Sequence, residues 1–289
     1  MAQLLGQHPV SYFSVLAILG LIVGSFLNVV ILRIPKMMER EWIGDCRALL
    51  DLDADAATSE GERLSLAFPG SHCPVCKSPI QPWQNIPVIS YLILRGRCAN
   101  CATPIGLRYP AVELLTALAT VAVGIYVPFS LALFAYLLLT WSLIALAGID
   151  IDTQLLPDNI TVPLLWGGLL FHLLSDEIPL QDAVIGAMAG YALLWSIYWL
   201  FKIVTGKEGM GYGDFKLLAA LGAWLGWQSI PLIILLSSAV GATLGVLILA
   251  IKRYGRNQPL PFGPYLATAG WIALLWGDTI SDRFFPGLL

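Results

Sequence analysis

The sequence predicts an all-α polytopic membrane protein, with about eight transmembrane helices and a cytoplasmic loop domain between the first two. Hydrophobic residues make up 57% of the 289 residues, charged residues only 12%, and the mean hydropathy is +0.76. A soluble domain contains about 25% charged residues, so this composition excludes an ordinary soluble enzyme. The apolar residues are also grouped into long runs, as helices that cross a lipid bilayer require.

Eight apolar runs approach the roughly 20 residues that a spanning helix needs. They lie at 10–32, 111–127, 130–149, 160–175, 183–201, 215–228, 229–251 and 263–280. The fourth and sixth runs are short, and Pro128 separates the second run from the third. We therefore expect a first transmembrane helix (1–33), a cytoplasmic four-cysteine domain (34–110) and a transmembrane core (111–289).

The basic residues predict the orientation in the membrane. Nine of the 16 Lys and Arg residues lie in 33–110, and the others, apart from Arg283, follow the fifth and seventh runs. With eight spans these groups share one side, which the positive-inside rule makes cytoplasmic. The opposite loop 175–182 has three acids and no base, which agrees. Both termini are then expected to face outward.

Four cysteines in the predicted cytoplasmic domain form two CxxC pairs. Cys73 and Cys76 are followed, after 21 intervening residues, by Cys98 and Cys101. Four thiolates at this spacing are typical of a tetrahedral Zn²⁺ site. A closed four-cysteine shell leaves no position for water, so the sequence favours one structural zinc ion over a catalytic one.

A redox dithiol is the alternative interpretation of a CxxC pair. It is disfavoured because a cytoplasmic loop stays reduced, and because paired CxxC motifs favour a metal. Cys46 has no partner in the pattern and is expected to be a free thiol. His72 precedes the first cysteine and is considered as a substitute ligand, although four cysteines already fill the shell.

An acidic stretch precedes the cysteines. Residues 39–62 contain eight Asp and Glu residues against Arg40 and Arg47. The simpler interpretation is a solvated surface segment. The alternative is a patch that attracts a basic peptide.

Two groups of aspartates are predicted at the cytoplasmic face, although they are far apart in sequence. Asp214 follows Gly-Tyr-Gly at the start of the sixth run, and Asp150, Asp152 and Asp158 follow the third. Carboxylates at a membrane boundary are functional candidates because their desolvation is costly. Two carboxylates that share a site titrate as a unit, so one can be ionised while the other is protonated. Hydrolysis of a peptide by acid–base catalysis needs such a pair.

Three aspartates compete as the partner of Asp214. Asp150 is nearest to the apolar run, and Asp152, two residues on, faces another side of a helix. Asp158 follows a proline and precedes an apolar run, which predicts a helix cap. A capping or interface role remains open for each of them on this reasoning.

Several segments together resemble one family in sequence and in order. They are GSFLNVVILRIP (24–35), the paired CxxC motifs, RYPAVE (108–113), GIDIDTQLLPDNITVP (148–163), GYGDFK (211–216) and PFGPYLATAG (261–270). They resemble the type IV prepilin peptidases, including the GxGD motif of that family. The cysteine loop makes the chain similar to the bifunctional form, leader peptidase plus N-methyltransferase.

The resemblance implies an activity and its participants. The catalytic pair would be Asp150 and Asp214, at the cytoplasmic face of a bacterial inner membrane. Substrates would be precursors of type IV pilins and type II secretion pseudopilins, with short basic leaders, and no nucleic-acid partner is expected. S-adenosylmethionine would methylate the new N-terminal residue. No GxGxG segment follows a strand, so its pocket is not assigned, although the RYP segment (108–110), Glu113 and the loop after Arg33 are candidates.

Other classes remain as alternatives. A presenilin-type intramembrane protease also uses a GxGD aspartate, but no Tyr-Asp pair precedes Asp214 within a span. A membrane disulfide oxidoreductase would need its CxxC pairs at the outer face. A non-enzymatic assembly scaffold would not need the aspartates. A metalloprotease is unsupported because HExxH is absent.

Overall fold

The structure is a computed structural model that describes residues 9–50, 64–251 and 261–284. Within these ranges it is helical, with two isolated β-bridges and no named strand. Its long helices are α1 (Pro9–Leu49), α2 (Arg108–Tyr126), α3 (Leu131–Thr153), α4 (Asp158–Leu174), α5 (Leu180–Thr205), α6 (Tyr212–Leu225), α7 (Ile230–Ile251) and α8 (Gly263–Phe284). Each overlaps one predicted apolar run, so the all-α prediction is confirmed.

Four of the helices in the described ranges are long and apolar enough to cross a membrane, namely α1, α2, α3 and α5. The chain is therefore a membrane protein by composition and helix length. Helices α4 and α6 have only 17 and 14 residues, in line with the two short predicted runs. The count of eight spans stays a prediction.

Helix α1 is longer than the span that the sequence predicts. It continues from residue 32 to Leu49, with Pro35 inside it. The added residues include Lys36, two methionines and two glutamates, which have high helix propensity, and the charged ones interrupt the apolar run. Hydropathy predicts where a helix stops being apolar, and here the helix itself continues.

The chain divides into two compact units, Met1–Trp141 and Ser142–Leu289. In the first unit α1 packs closely on α2 through two glycines. A Cβ on Gly20 would lie 2.6 Å from the Cα of Ala117, and one on Gly24 would lie 2.7 Å from the Cα of Glu113. Small residues allow such backbone approach between membrane helices.

The second unit is built around α6. Ten of its residues, from Asp214 to Trp224, are buried, because α6 packs against α4, α5 and α8. The backbones of Gly186 in α5 and Gly222 in α6 are in direct contact, and a Cβ on Gly190 would lie 2.6 Å from the carbonyl oxygen of Leu218. A helix that is apolar all round is expected to be surrounded in this way.

Candidate active site and metal site

Asp150 and Asp214 are both buried in the second unit. Asp150 lies in the last turn of α3 with 5% of its surface exposed, and Asp214 lies in the first turn of α6 with 6% exposed. Leu156, six residues after Asp150, packs against Gly213, which directly precedes Asp214, and against Gly263, which bonds to Asp150. The structure therefore brings together two carboxylates that are 64 residues apart in the sequence.

The first turn of α8 holds the Asp150 side chain. The backbone N–H of Gly263 donates a hydrogen bond to Oδ2 of Asp150 over 2.9 Å. A Cβ on Gly263 would lie only 2.7 Å from the same oxygen, so this position requires glycine. A buried carboxylate needs hydrogen-bond donors, and this backbone group provides one.

Leu156 lies between the two aspartate segments. A Cβ added to Gly213 would lie 2.7 Å from Cβ of Leu156, and a Cβ added to Gly263 would lie 3.1 Å from Cδ2 of Leu156. The loop after Asp150 thus packs on both the Gly-Tyr-Gly turn before Asp214 and the start of α8. The glycines let three backbone segments meet around the pair of carboxylates.

The other two aspartates are exposed and have different surroundings. Asp152 is exposed near the end of α3, two residues after the buried Asp150, and residues at this spacing do not share a helix face. Asp158 is the first residue of α4, its N-cap is Pro157, and no side-chain cap hydrogen bond forms. The predicted cap is therefore wrong. Nζ of Lys216 instead contacts both carboxylate oxygens of Asp158, at 2.6 and 2.7 Å.

The four predicted cysteine ligands come together in the first unit. Their Sγ atoms all lie within 4.8 Å of one another, in a group of Cys73, Cys76, Cys98 and Cys101. Each CxxC pair is followed by a residue with positive φ, Lys77 at 58° and Ala102 at 56°, whose N–H bonds back to the first cysteine carbonyl. The same turn thus occurs twice, and the thiols converge as a tetrahedral metal site requires.

Hydrogen bonds favour the thiolate form at two of these positions. Side-chain and backbone hydrogen bonds from Ser78 lower the pKa of the Cys76 thiol to about 5. Backbone hydrogen bonds, the largest from Cys101, lower the pKa of Cys98. Thiolates are the form that binds a metal. His72 is outside the group, with its Nδ1 3.0 Å from the Gly70 carbonyl.

The comparisons with known proteins place the chain in a family. Residues 18–127 match the profile of the bacterial peptidase A24 N-terminal domain, and residues 137–246 match the type IV leader peptidase family. A prepilin leader peptidase/N-methyltransferase from Aeromonas salmonicida is 55% identical over 281 residues, which cover 97% of this chain and 96% of the relative. The chain belongs to the type IV leader peptidase family.

Other members of the type IV leader peptidase family are similar over nearly their whole length. A relative of the same name in Pseudomonas aeruginosa is 54% identical, over 97% of this chain and 96% of its own. Another in Dickeya chrysanthemi is 48% identical, over 92% of this chain and 93% of its own. No solved structure matches the chain. Family membership confirms the resemblance and disfavours the presenilin-type, oxidoreductase and scaffold alternatives.

The two family regions separate the two groups of functional residues. The N-terminal match contains the four cysteines, and the leader-peptidase match contains Asp150 and Asp214. Gly263 lies beyond both matches, yet it contacts Asp150. Glycine has no functional side chain, so the residue type did not mark Gly263 as part of a site. The only signal in the sequence was that Gly263 lies in the segment PFGPYLATAG, which resembles a family segment.

Glu113, a candidate for the cofactor pocket, belongs to neither the cysteine group nor the aspartate pair. It is 8% exposed at the start of α2, and its Oε2 accepts a hydrogen bond of 2.8 Å from the N–H of Val88. Val88 has φ of 57°, which is rare for a β-branched residue. Glu113 therefore fixes an unusual backbone turn of the cysteine segment.

Proposed function

We propose that the chain cleaves leaders from type IV prepilins and type II secretion pseudopilins and then N-methylates the new N-terminal residue. It is an enzyme of the type IV leader peptidase family, and its relatives carry both activities in their names. Asp150 and Asp214 form the proposed catalytic pair. The observation that carries this assignment is the burial of both carboxylates at adjoining helix ends.

The proposed peptide hydrolysis uses the two aspartates in complementary protonation states. The ionised carboxylate removes a proton from a water molecule, whose oxygen then attacks the carbonyl carbon of the scissile peptide. The protonated carboxyl donates its proton to the carbonyl oxygen, and a proton reaches the amine as the carbon–nitrogen bond breaks. One residue of the pair is regenerated as an acid and the other as a base.

The proposed arrangement places this chemistry at the cytoplasmic face of a bacterial inner membrane. Eight spans, with both termini outward, put the ends of α3 and the beginning of α6 on the side with most basic residues. The proposed division is a first span (1–33), a cytoplasmic cysteine domain (34–110) and a transmembrane catalytic core (111–289). A precursor cut at this face keeps its leader in the cytoplasm and its apolar helix in the bilayer.

The acidic stretch 39–62 is proposed to attract the basic leader. Asp51, Asp53 and Asp55 lie outside the described residues, whereas Glu39 and Asp45 are exposed on α1. Opposite charges raise the local concentration of a peptide and are weakened by salt. Neutralising Asp51, Asp53 and Asp55 should raise KM for basic leaders, and unchanged kinetics would remove this part of the proposal.

The proposed metal is one structural zinc ion held by Cys73, Cys76, Cys98 and Cys101. Support comes from the convergence of four thiols and from the hydrogen bonds that favour thiolates. Four sulfur ligands are typical of zinc, and they leave no position for a catalytic water. The proposed methyl donor is S-adenosylmethionine, since the relatives are N-methyltransferases.

A cleavage assay in membranes tests the catalytic pair. The substrate is a prepilin with a basic leader, and the variants are Asp150→Asn, Asp214→Asn and, as the matched control, Asp152→Asn. We expect the first two to lose about 10³-fold or more in cleavage rate, because asparagine cannot exchange a proton. Asp152→Asn should cleave normally. If all three variants cleave at the wild-type rate and are expressed equally, the pair is not catalytic.

A further inference from the structure

A cavity of about 650 Å³ lies within the first unit, between α1, the cysteine segment and the start of α2. This volume is in the range of small-molecule sites. The cavity contains neither Asp150 nor Asp214, which belong to the second unit. The peptidase chemistry therefore does not account for it. The cavity borders the proposed metal site, because Cys73 and Cys98 are among its lining residues.

The cavity begins just beyond the Gly24 contact between α1 and α2. Gly24 allows a close contact between the two helices, and Ser25, one residue later, is the first residue of α1 that lines the cavity. Asn28 and Val29 follow one turn later, then Leu32 and Lys36, so one face of α1 forms a wall. The cavity is thus closed at the glycine contact and opens along the remainder of α1.

Polar groups are held firmly at the closed end. Asn28 is 5% exposed, and its Nδ2 donates to the carbonyl oxygen of Tyr109 over 3.1 Å and to that of Gly24 over 3.3 Å. Glu113 accepts hydrogen bonds from the Val88 backbone and from Ser25. All these donors are neutral. Among the described residues the Glu113 carboxylate has no cationic partner.

The charges that line the cavity are unevenly distributed. Glu113 is the one acid among its lining residues, and the basic ones are Arg33, Lys36, Lys77 and His72. The Arg33 guanidinium is already bound to the carbonyl oxygens of Ser65, Leu66 and Pro69. Lys36 is exposed, on the wall away from the closed end. A buried carboxylate without a counter-ion favours a ligand that brings a cationic group.

From this geometry we infer that the cavity binds S-adenosylmethionine, with Glu113 facing its cationic part and Lys36 its carboxylate. The inference rests on the proposed methyltransferase function and gives that function a location. The ligand has a sulfonium and an ammonium to pair with one acid, and a carboxylate to pair with an exposed amine. Its adenine fits the apolar and aromatic wall of Val29, Leu32 and Tyr91.

The chemistry that the bound cofactor supplies is a methyl group on a positively charged sulfur. The neutral amine of the new N-terminal residue forms a bond to the methyl carbon while the carbon–sulfur bond breaks. The electron pair of that bond stays on sulfur, which gives S-adenosylhomocysteine, and the amine releases a proton to solvent. The role inferred for this chain's own residues is to bind and orient the donor.

Two variants of the full-length protein in detergent test the site by direct binding. Val29→Phe fills the cavity, and Glu113→Gln keeps the shape of the side chain while it removes the charge. Binding is measured by calorimetry and by ultraviolet cross-linking of methyl-labelled S-adenosylmethionine, with S-adenosylhomocysteine as competitor. Val15→Phe is the matched control, since Val15 is on the same helix, 61% exposed and outside the cavity.

We expect both cavity variants to weaken S-adenosylmethionine binding by about tenfold or more, because each removes space or a charge-assisted contact. Val15→Phe should bind as the wild type does, and all three should cleave prepilin at a normal rate, which shows that they fold. Wild-type affinity in both cavity variants overturns the inference. So does a cross-link that maps to residues 142–289, or a raised KM for cleavage with unchanged cofactor binding.

The wild-type chain separates this inference from the proposed function. If the wild type methylates mature pilin and binds S-adenosylmethionine while both cavity variants do the same, the activity stands and the site lies elsewhere. If the wild type neither binds the cofactor nor methylates, the methyltransferase half of the proposed function fails, and the site fails with it.

Discussion

In the first unit the four cysteines are presented by two tight turns, whereas in the second unit Asp150 and Asp214 are presented by the ends of packed helices. The turns depend on hydrogen bonds within a few residues of each thiol, such as those from Ser78 to Cys76. The helix ends depend on contacts between residues distant in sequence, such as Gly263 with Asp150. The first arrangement is a local property of the chain, and the second requires the whole unit.

This difference predicts how each group responds to change. Turns that present metal ligands gain stability from the metal itself, because the ion binds the folded segment. Helix ends that present carboxylates gain stability from close packing, which is sensitive to the volume of single side chains. Metal removal and glycine substitution should therefore affect different halves of the protein.

The largest effect that would test this contrast is expected from Gly263→Ala. The added methyl carbon would lie 2.7 Å from Oδ2 of Asp150, so the carboxylate must shift. Misplacement of a catalytic group by about 1 Å costs about 10²-fold in rate, and we expect a loss of that size in prepilin cleavage. Gly277→Ala, in the same helix, is the control, because its methyl carbon would meet no atom closer than 3.9 Å.

Metal content and methylation of mature pilin should not change in Gly263→Ala. A variant that cleaves normally would show that Asp150 does not depend on its backbone donor. The position of Asp150 would then depend less on contacts between distant residues than the packing suggests.

A smaller effect on cleavage is expected from metal removal. Chelation should release one zinc ion per chain and increase the rate of proteolysis within residues 64–107 by about tenfold, because the metal stabilises these turns. Cleavage of prepilin should stay within about twofold of the untreated rate, since a closed four-sulfur site takes no part in hydrolysis. Metal analysis, limited proteolysis and the cleavage assay measure these three quantities on one sample.

Rapid loss of cleavage on chelation, before any change in proteolysis, would contradict this expectation. It would show that the cysteine unit and the aspartate unit are functionally coupled. Addition of zinc should restore the original proteolysis pattern.

The smallest effect is expected at the ion pair between Asp158 and Lys216. This pair joins the segment after Asp150 to the segment after Asp214, and both side chains are partly exposed. Lys216→Met should lower stability by less than about 1 kcal/mol, as for other exposed ion pairs. Cleavage should fall by about threefold through a lower kcat, because the two aspartates are positioned less firmly.

Lys202→Met is the matched control for this ion pair. Lys202 also forms an ion pair, with Glu208, but that pair does not join the two aspartate segments. Equal losses of kcat in both variants would mean that the Asp158–Lys216 pair has only a general stabilising effect.

The sequence allowed the helices to be predicted well, because each helix of the second unit is apolar over most of its length. Burial of α6 on all sides removes amphipathic periodicity but leaves a clear apolar run. The end of α1 was not predictable in this way. Past residue 32 the residues of α1 favour a helix through their intrinsic helix propensity. Hydropathy, which was used to place the spans, does not measure helix propensity.

The sites were predictable to different degrees for a similar reason. The cysteine group follows from spacing, because both CxxC turns are local and repeat the same geometry. The pairing of Asp150 with Asp214 needed the family resemblance, since periodicity does not bring together residues 64 positions apart. Lys216 as the partner of Asp158 had no local signal, and that aspartate instead suggested a cap.

The length of α1 has a consequence for how far a leader must reach. With residues 10–32 in the bilayer, Glu39 lies about 10 Å beyond it along the helix and Asp45 about 20 Å, at 1.5 Å per residue. Leu49 ends the helix at about 25 Å. A fully extended leader covers at most about 3.5 Å per residue, so about seven residues are needed to reach the end of the helix. In the proposed orientation, a basic peptide of about seven residues could therefore lie along the whole acidic end of α1, and a shorter one would contact fewer of its acids.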